Sequence, residues 1–115
     1  MPRQLGFTYK TMAASHKLMN SGQLSNSTAN IYDPSSVTGM GKTIILHNTN
    51  SSDETVEIYM NGTSDSDRML KVSLASNETL EWSFQHMVVV LDAQVLKGKS
   101  TTASKVNYFI YGAEE

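Results

Sequence analysis

The sequence predicts an all-β fold, an antiparallel β-sandwich of jelly-roll-like form with about eight short strands and an N-terminal arm. Three observations predict it. Ser, Thr and Asn are abundant, while apolar residues make up 39% of the chain and charged ones only 17%. That palette suits pleated, half-solvated surfaces rather than long helices, which draw on Glu, Lys, Ala and Leu. Several segments alternate apolar and polar residues strictly, and turn-forming clusters separate them at intervals of about 8–12 residues. A chain of 115 residues fits one domain, which buries roughly 65% of the surface exposed when unfolded.

Residues 1–23, MPRQLGFTYKTMAASHKLMNSGQ, read as the arm. Leu5, Phe7 and Tyr9 alternate as in an extended piece, and Met12–Met19 has the composition of a helical turn or two, closed by Asn20-Ser21-Gly22. The apolar residues of this arm, Leu5, Phe7, Tyr9, Met12 and Leu18, need a surface to rest on, either their own domain or a neighbouring subunit. The sandwich is expected over residues 24–115. Its first strand is Ala29–Tyr32, closed by Asp33-Pro34-Ser35-Ser36, and its second is Lys42–Asn48. Thr55–Met60 follows, with Val56, Ile58 and Met60 on one face and Thr55, Glu57 and Tyr59 on the other. Asn61-Gly62 supplies the positive φ that a tight turn requires. Arg68–Leu74 and Thr79–Phe84 repeat the alternation, placing Leu70, Val72, Leu74, Leu80, Trp82 and Phe84 inward. Met87–Leu91 is continuously apolar and reads as a strand buried on both faces or lying at a corner. Val95–Ser100 and Val106–Tyr111 complete the set.

Composition narrows the function. The net charge is −2 and the pI about 5.9, so the electrostatic footprint of a nucleic-acid binder is missing. No apolar run is long enough to span a membrane. The opening MPRQLGFTYK lacks the apolar stretch of a cleaved signal peptide. With no cysteine, disulfides, thiolate catalysis and cysteine zinc sites are excluded.

The stretch Thr38-Gly39-Met40-Gly41-Lys42-Thr43-Ile44-Ile45-Leu46 ends like a phosphate-binding loop. Such a loop needs a glycine where Ser36 stands, and a helix directly after the Lys-Thr pair whose N-terminus faces the phosphates. The β-branched run after Thr43 predicts a strand there instead. The three histidines, His16, His47 and His86, lack metal-ligand spacing. Asp65-Ser66-Asp67 lacks the spaced oxygens and closing glutamate of a calcium loop and reads as a solvated hairpin tip. No serine sits in a nucleophile elbow. No catalytic residue, metal site or cofactor is therefore assigned, and the chain is not read as an enzyme. Tyr59, Phe109 and Tyr111 fall opposite the core face of their strands, which points to a subunit contact.

From Leu24 to Glu115 the order of pieces resembles the small β-sandwich virion proteins of tailed bacteriophages, found among head-decoration and minor tail components. The resemblance is carried by Leu24–Tyr32 (LSNSTANIY), by Thr43–Asn50 (TIILHNTN) and by Val56–Gly62 (VEIYMNG). Leu74–Leu80 (LASNETL) is similar to the turn of that family, with Ser-Asn where it prefers Gly. Leu96–Ser100 through Val106–Gly112 resembles its closing hairpin, although Ala93-Gln94 replaces the Gly-Asp that often opens it. The resemblance implies no active site. It implies a role in the virion, made in the host cytoplasm, through surface contacts with the major capsid protein, commonly as a homotrimer and without nucleic acid or membrane. The leading expectation is a capsid decoration (cement) protein. The alternative is a tail or head-fibre module that binds a host receptor or glycan.

Overall fold

The computed structural model describes residues 16–90 and 92–115. These form eight strands: β1 (Lys17–Gln23), β2 (Ala29–Tyr32), β3 (Gly39–Asn48), β4 (Glu54–Met60), β5 (Arg68–Leu74), β6 (Thr79–Val90), β7 (Leu96–Ser100) and β8 (Val106–Glu114). They make two antiparallel four-stranded sheets, ordered β1-β8-β3-β6 and β2-β7-β4-β5. The expected all-β sandwich is therefore the observed one.

Apolar alternation determines which faces meet. In β3 Ile44 and Leu46 are buried, and in β8 Val106, Tyr108 and Ile110. The second sheet answers with Ile31, Val56, Ile58, Leu74 and Leu96, and all ten belong to one core cluster. Each fully buried aliphatic side chain contributes about 1.5–3 kcal/mol of transfer free energy. Leu24, 1% exposed, leaves β1 and plugs one end of the sandwich. Its N–H donates to the Val106 carbonyl at 2.9 Å and its carbonyl accepts from Ser104 N–H at 3.0 Å.

Two expectations about boundaries change. Lys17–Gln23, assigned to the arm, is β1, paired with β8 from Lys17↔Gly112 to Gln23↔Asn107. The helical turn expected over Met12–Met19 is extended in its described part, because pairing with β8 satisfies backbone groups that a short, polar helix would leave to water. Residues 1–15 lie outside the described residues, as do the alternation at Leu5, Phe7 and Tyr9 and the contact expected at Met12. The segments Thr79–Phe84 and Met87–Leu91, expected as two strands, are one strand, β6, up to Val90; Leu91 lies outside the described residues. Between the pairs Thr43↔Ser83 and Gly41↔Val88, Lys42 alone on β3 faces four residues of β6. The Lys42 ammonium donates to the Phe84 carbonyl in that excursion at 3.0 Å.

Close approach explains two glycines within strands. A Cβ on Gly39 would collide with the Tyr32 ring of the opposite sheet, and one on Gly112 with the Met40 carbonyl of β3. The turns use left-handed residues at Asn61 (φ 69°) and Asn77 (φ 61°), types that tolerate this region, and at Ala93 (φ 76°), which carries the strain of a Cβ there.

Candidate contact surface

The outer face of the first sheet is built from the residues between the buried ones. Cross-strand register sets them in rows. Leu18 of β1 lies beside Tyr111 of β8, then Thr43 of β3 and Ser83 of β6. The next row runs Ser21, Phe109, Ile45, Glu81, and the third Gln23, Asn107, His47, Thr79. Leu18 and Tyr111, 46% and 39% exposed, are the exposed large hydrophobic residues among those described. Half-buried Phe109 and Ile45 sit in the adjoining row.

Polar pairs rim this apolar stripe. Gln23 Nε2 donates to Asn107 Oδ1 at 3.0 Å, His47 Nδ1 lies 2.7 Å from Thr79 Oγ1, and the Thr43 and Ser83 hydroxyls are 3.2 Å apart. An apolar centre within a polar rim is the anatomy of a protein-binding patch. Three of the residues expected at a contact, Leu18, Phe109 and Tyr111, thus share one face.

Tyr59 does not join them. It lies in the second sheet and is 4% exposed, so the exposed contact expected of it is corrected. A register shift falls between Ile58 and Tyr59, and the phenol donates to Glu57 Oε1 at 2.8 Å. The Arg68 guanidinium reaches the same oxygen at 3.0 Å, and Lys99 lies 3.7 Å from Oε2. The Tyr59 hydrogen bond, against the opposing effect of burial and with help from Arg68, Lys99 and Lys71, lowers the Glu57 pKa. The second sheet therefore presents paired charges outward where the first presents apolar surface.

A polar cleft of about 420 Å³ opens beside β1 and β2, lined in part by Asn20, Asn30, Tyr32, Asp33, Ser35 and Glu114. Its strongest groups are spent on each other. Tyr32 donates to Glu114 Oε2 at 2.5 Å and Lys17 pairs with Oε1 at 2.5 Å. These bonds from Lys17 and Tyr32 outweigh burial and hold the Glu114 carboxyl below its ordinary pKa, while burial and Glu114 push the Tyr32 phenol upward. Such a cleft offers amides and carbonyls for hydrogen bonding rather than a poised proton.

A third carboxylate, Glu54, is buried between two loops. Burial opposes its charge, but Asn50 Nδ2 and Thr102 N–H each donate to it at 2.8 Å, and the net effect lowers its pKa. The unfolded chain holds Glu54, Glu57 and Glu114 near the ordinary value of about 4.3. It therefore binds more protons than the folded chain in acid, and folding weakens as pH falls. Urea melts are expected to give constant stability above about pH 5 and a decline below about pH 4. Stability that holds or rises on acidification would contradict this assignment.

The other sequence features resolve locally. Gly39 and Gly41 lie within β3, with strand rather than helix after Thr43. Asp67 caps the turn at Ser64, its carboxylate 2.7 Å from the Ser64 hydroxyl, and Asp65 pairs with Arg68 at 3.4 Å. Among the described residues no group of three His, Asp or Glu side chains is placed to hold a metal. Sequence reasoning missed the cleft and the pairing of Leu18 with Tyr111; only the alternation in β8 hinted at the latter. Comparison with known proteins finds no matching family model, no matching curated protein and no matching solved structure.

Proposed function

We propose that this chain is a structural assembly protein, acting as a capsid decoration (cement) protein of a tailed-phage virion and docking through the outer face of the β1-β8-β3-β6 sheet. The observation that carries the docking is the exposed pair Leu18 and Tyr111, continuous with Phe109 and Ile45 and bordered on two sides by polar pairs. The virion context rests on the resemblance of the strand and turn segments between Leu24 and Glu115. The alternation of successive strands between sheets, broken only at β4–β5 among the described strands, is compatible with a jelly roll, an architecture found in capsid and lectin domains, and supports the same reading. A homotrimer would multiply a modest contact by avidity.

The test is the copy number in purified particles, by quantitative mass spectrometry against the major capsid protein. Hundreds of copies in fixed ratio support decoration. A handful would place the protein on a tail or fibre, and absence would sink the virion reading. Tyr111→Asp is expected to lower bound copies at least about tenfold, as loss of a central aromatic anchor does. Its melting temperature should fall by no more than about 8 °C, since Tyr111 is 39% exposed and an aspartate in a strand costs about 1 kcal/mol. A second reading, a glycan-binding module, is favoured by the amide-lined cleft. It predicts that Asn30→Ala abolishes glycan retention while Tyr111→Asp does not.

A further inference from the structure

The two ends of the sandwich are closed differently. Beside β1 and β2 the core is sealed by Leu24, Ile31 and Tyr32, all buried. At the opposite end, between β5 and β6, Met69, Leu70, Val72, Leu80, Trp82 and Phe84 pack on the core but remain partly exposed. Trp82 and Phe84 stack at 4.7 Å between centroids, tilted by 58°. Together they make an apolar seam rather than a finished wall.

The strands that border this seam are both edges. Among the described residues β6 pairs only with β3 and β5 only with β4. Strand β6 is 12 residues long and contains neither Pro nor Lys; of the usual guards of an exposed edge it has Glu81 and the excursion opposite Lys42, which leaves Thr79–Ser83 as a regular, uncovered stretch. An uncovered edge beside an open apolar seam calls for a covering strand.

We propose that the covering strand is residues 1–15 of a second copy of this chain, laid along the β6 edge with Leu5, Phe7 and Tyr9 turned into the seam. Four observations point to this occupant. The segment has the period-two apolar pattern of a strand, matched to an apolar receptor, whereas the cleft nearest β1 is polar. It carries Arg3 and Lys10 and no acidic residue, while all 11 acidic residues lie from Asp33 onward; Glu78 and Glu81 are exposed on or next to β6. Fifteen extended residues reach up to about 50 Å, enough to cross to a neighbour. Finally, the segment leads into β1, at the opposite edge of the same sheet from β6. Donor and acceptor on opposite edges make a head-to-tail contact, which builds a ring where the rotation closes and a filament where it does not. This rests on the reading of the chain as an assembly protein, and names the surface through which copies join.

The test uses the full chain alone, without particles. A photo-crosslinking amino acid replaces Phe7 in an equal mixture of isotopically light and heavy chains, and cross-linked peptides are mapped by mass spectrometry. Light–heavy links into residues 68–84 are the expected result. Links into the same residues within single chains only would overturn the second copy as occupant, and links elsewhere would overturn the seam as receptor. Trp82 is the single tryptophan and gives an independent readout. In a Leu5→Ser, Phe7→Ser, Tyr9→Ser variant its emission should shift to the red and its quenching by acrylamide should rise. An unchanged Trp82 would overturn the proposal. If these links form but the protein is absent from particles, the self-contact stands and the virion role falls; the reverse outcome removes the seam contact and keeps decoration.

Discussion

Replacing Asn48 by Leu is expected to cost about 4 kcal/mol and to lower Tm by on the order of 20 °C. Asn48 ends β3 and is 0% exposed. Its amide donates to the carbonyls of Ser52 at 2.9 Å, Leu74 at 3.0 Å and Ala75 at 3.1 Å, and its Oδ1 accepts the Asn50 N–H at 2.8 Å. One side chain thus ties the first sheet to the end of β5 and to the loop before β4. Leucine fits the volume but orphans a cluster of polar backbone groups, several of them away from water, each at a cost of about 1–3 kcal/mol. Asn48→Asp keeps the acceptor, loses both donors and adds a buried charge, so it should fail as badly. A urea melt showing less than about 1 kcal/mol of loss in Asn48→Leu would mean that these bonds are replaceable by solvent.

Gly112→Ala is expected to cost about 3 kcal/mol, the penalty of overpacking a site that cannot yield. The added Cβ would overlap the Met40 carbonyl and stand 2.7 Å from the Met19 sulfur and 3.0 Å from Gly41 Cα. The thioether can swing away, but the carbonyl belongs to the paired strand β3, so β8 and β3 must separate. Gly41→Ala is the control. Its nearest neighbour, the Val88 carbonyl, would lie 3.7 Å from the new atom, an ordinary contact, and its cost should stay under about 1 kcal/mol. Equal losses in the two variants would place the effect in backbone propensity rather than in the β8–β3 spacing.

The strands that could be read from the chain are those whose own side chains alternate. Val56 and Ile58, or Val106, Tyr108 and Ile110, declare a face without help from the rest of the molecule. β1 could not be read this way: the apolar residues of Lys17–Gln23, Leu18 and Met19, are adjacent rather than alternating and the segment is almost wholly exposed, and it is a strand because β8 needs a partner. The split of β6 into two expected strands followed the break in alternation at Gln85-His86, which the fold absorbs as an excursion opposite Lys42. Tyr59 keeps the face that period two assigns it, bonded to Glu57 two residues back and in unbroken register with β7, but it is buried there, and alternation alone does not show what covers a face. The contact surface was half legible: β8 showed an outward aromatic pair, but the adjacency of Leu18 depends on a pairing that spans most of the chain. Asn48 and Glu54 gave no signal, since a lone Asn or Glu near a turn acquires its meaning from loops distant in sequence.

The central position of β8 has a consequence for biosynthesis. This strand is made last among the eight yet lies between β1 and β3, so the whole ladder of β1 and one side of β3 wait for it. The residues of β1, including Gly22, whose partner is Tyr108, stay without that partner until β8 has been made. Folding is then governed by closure of one very long loop, which is slow, and the β4–β5 hairpin is the one local structure available early. During that interval the apolar strands are open to chaperones and to other nascent copies on the same message.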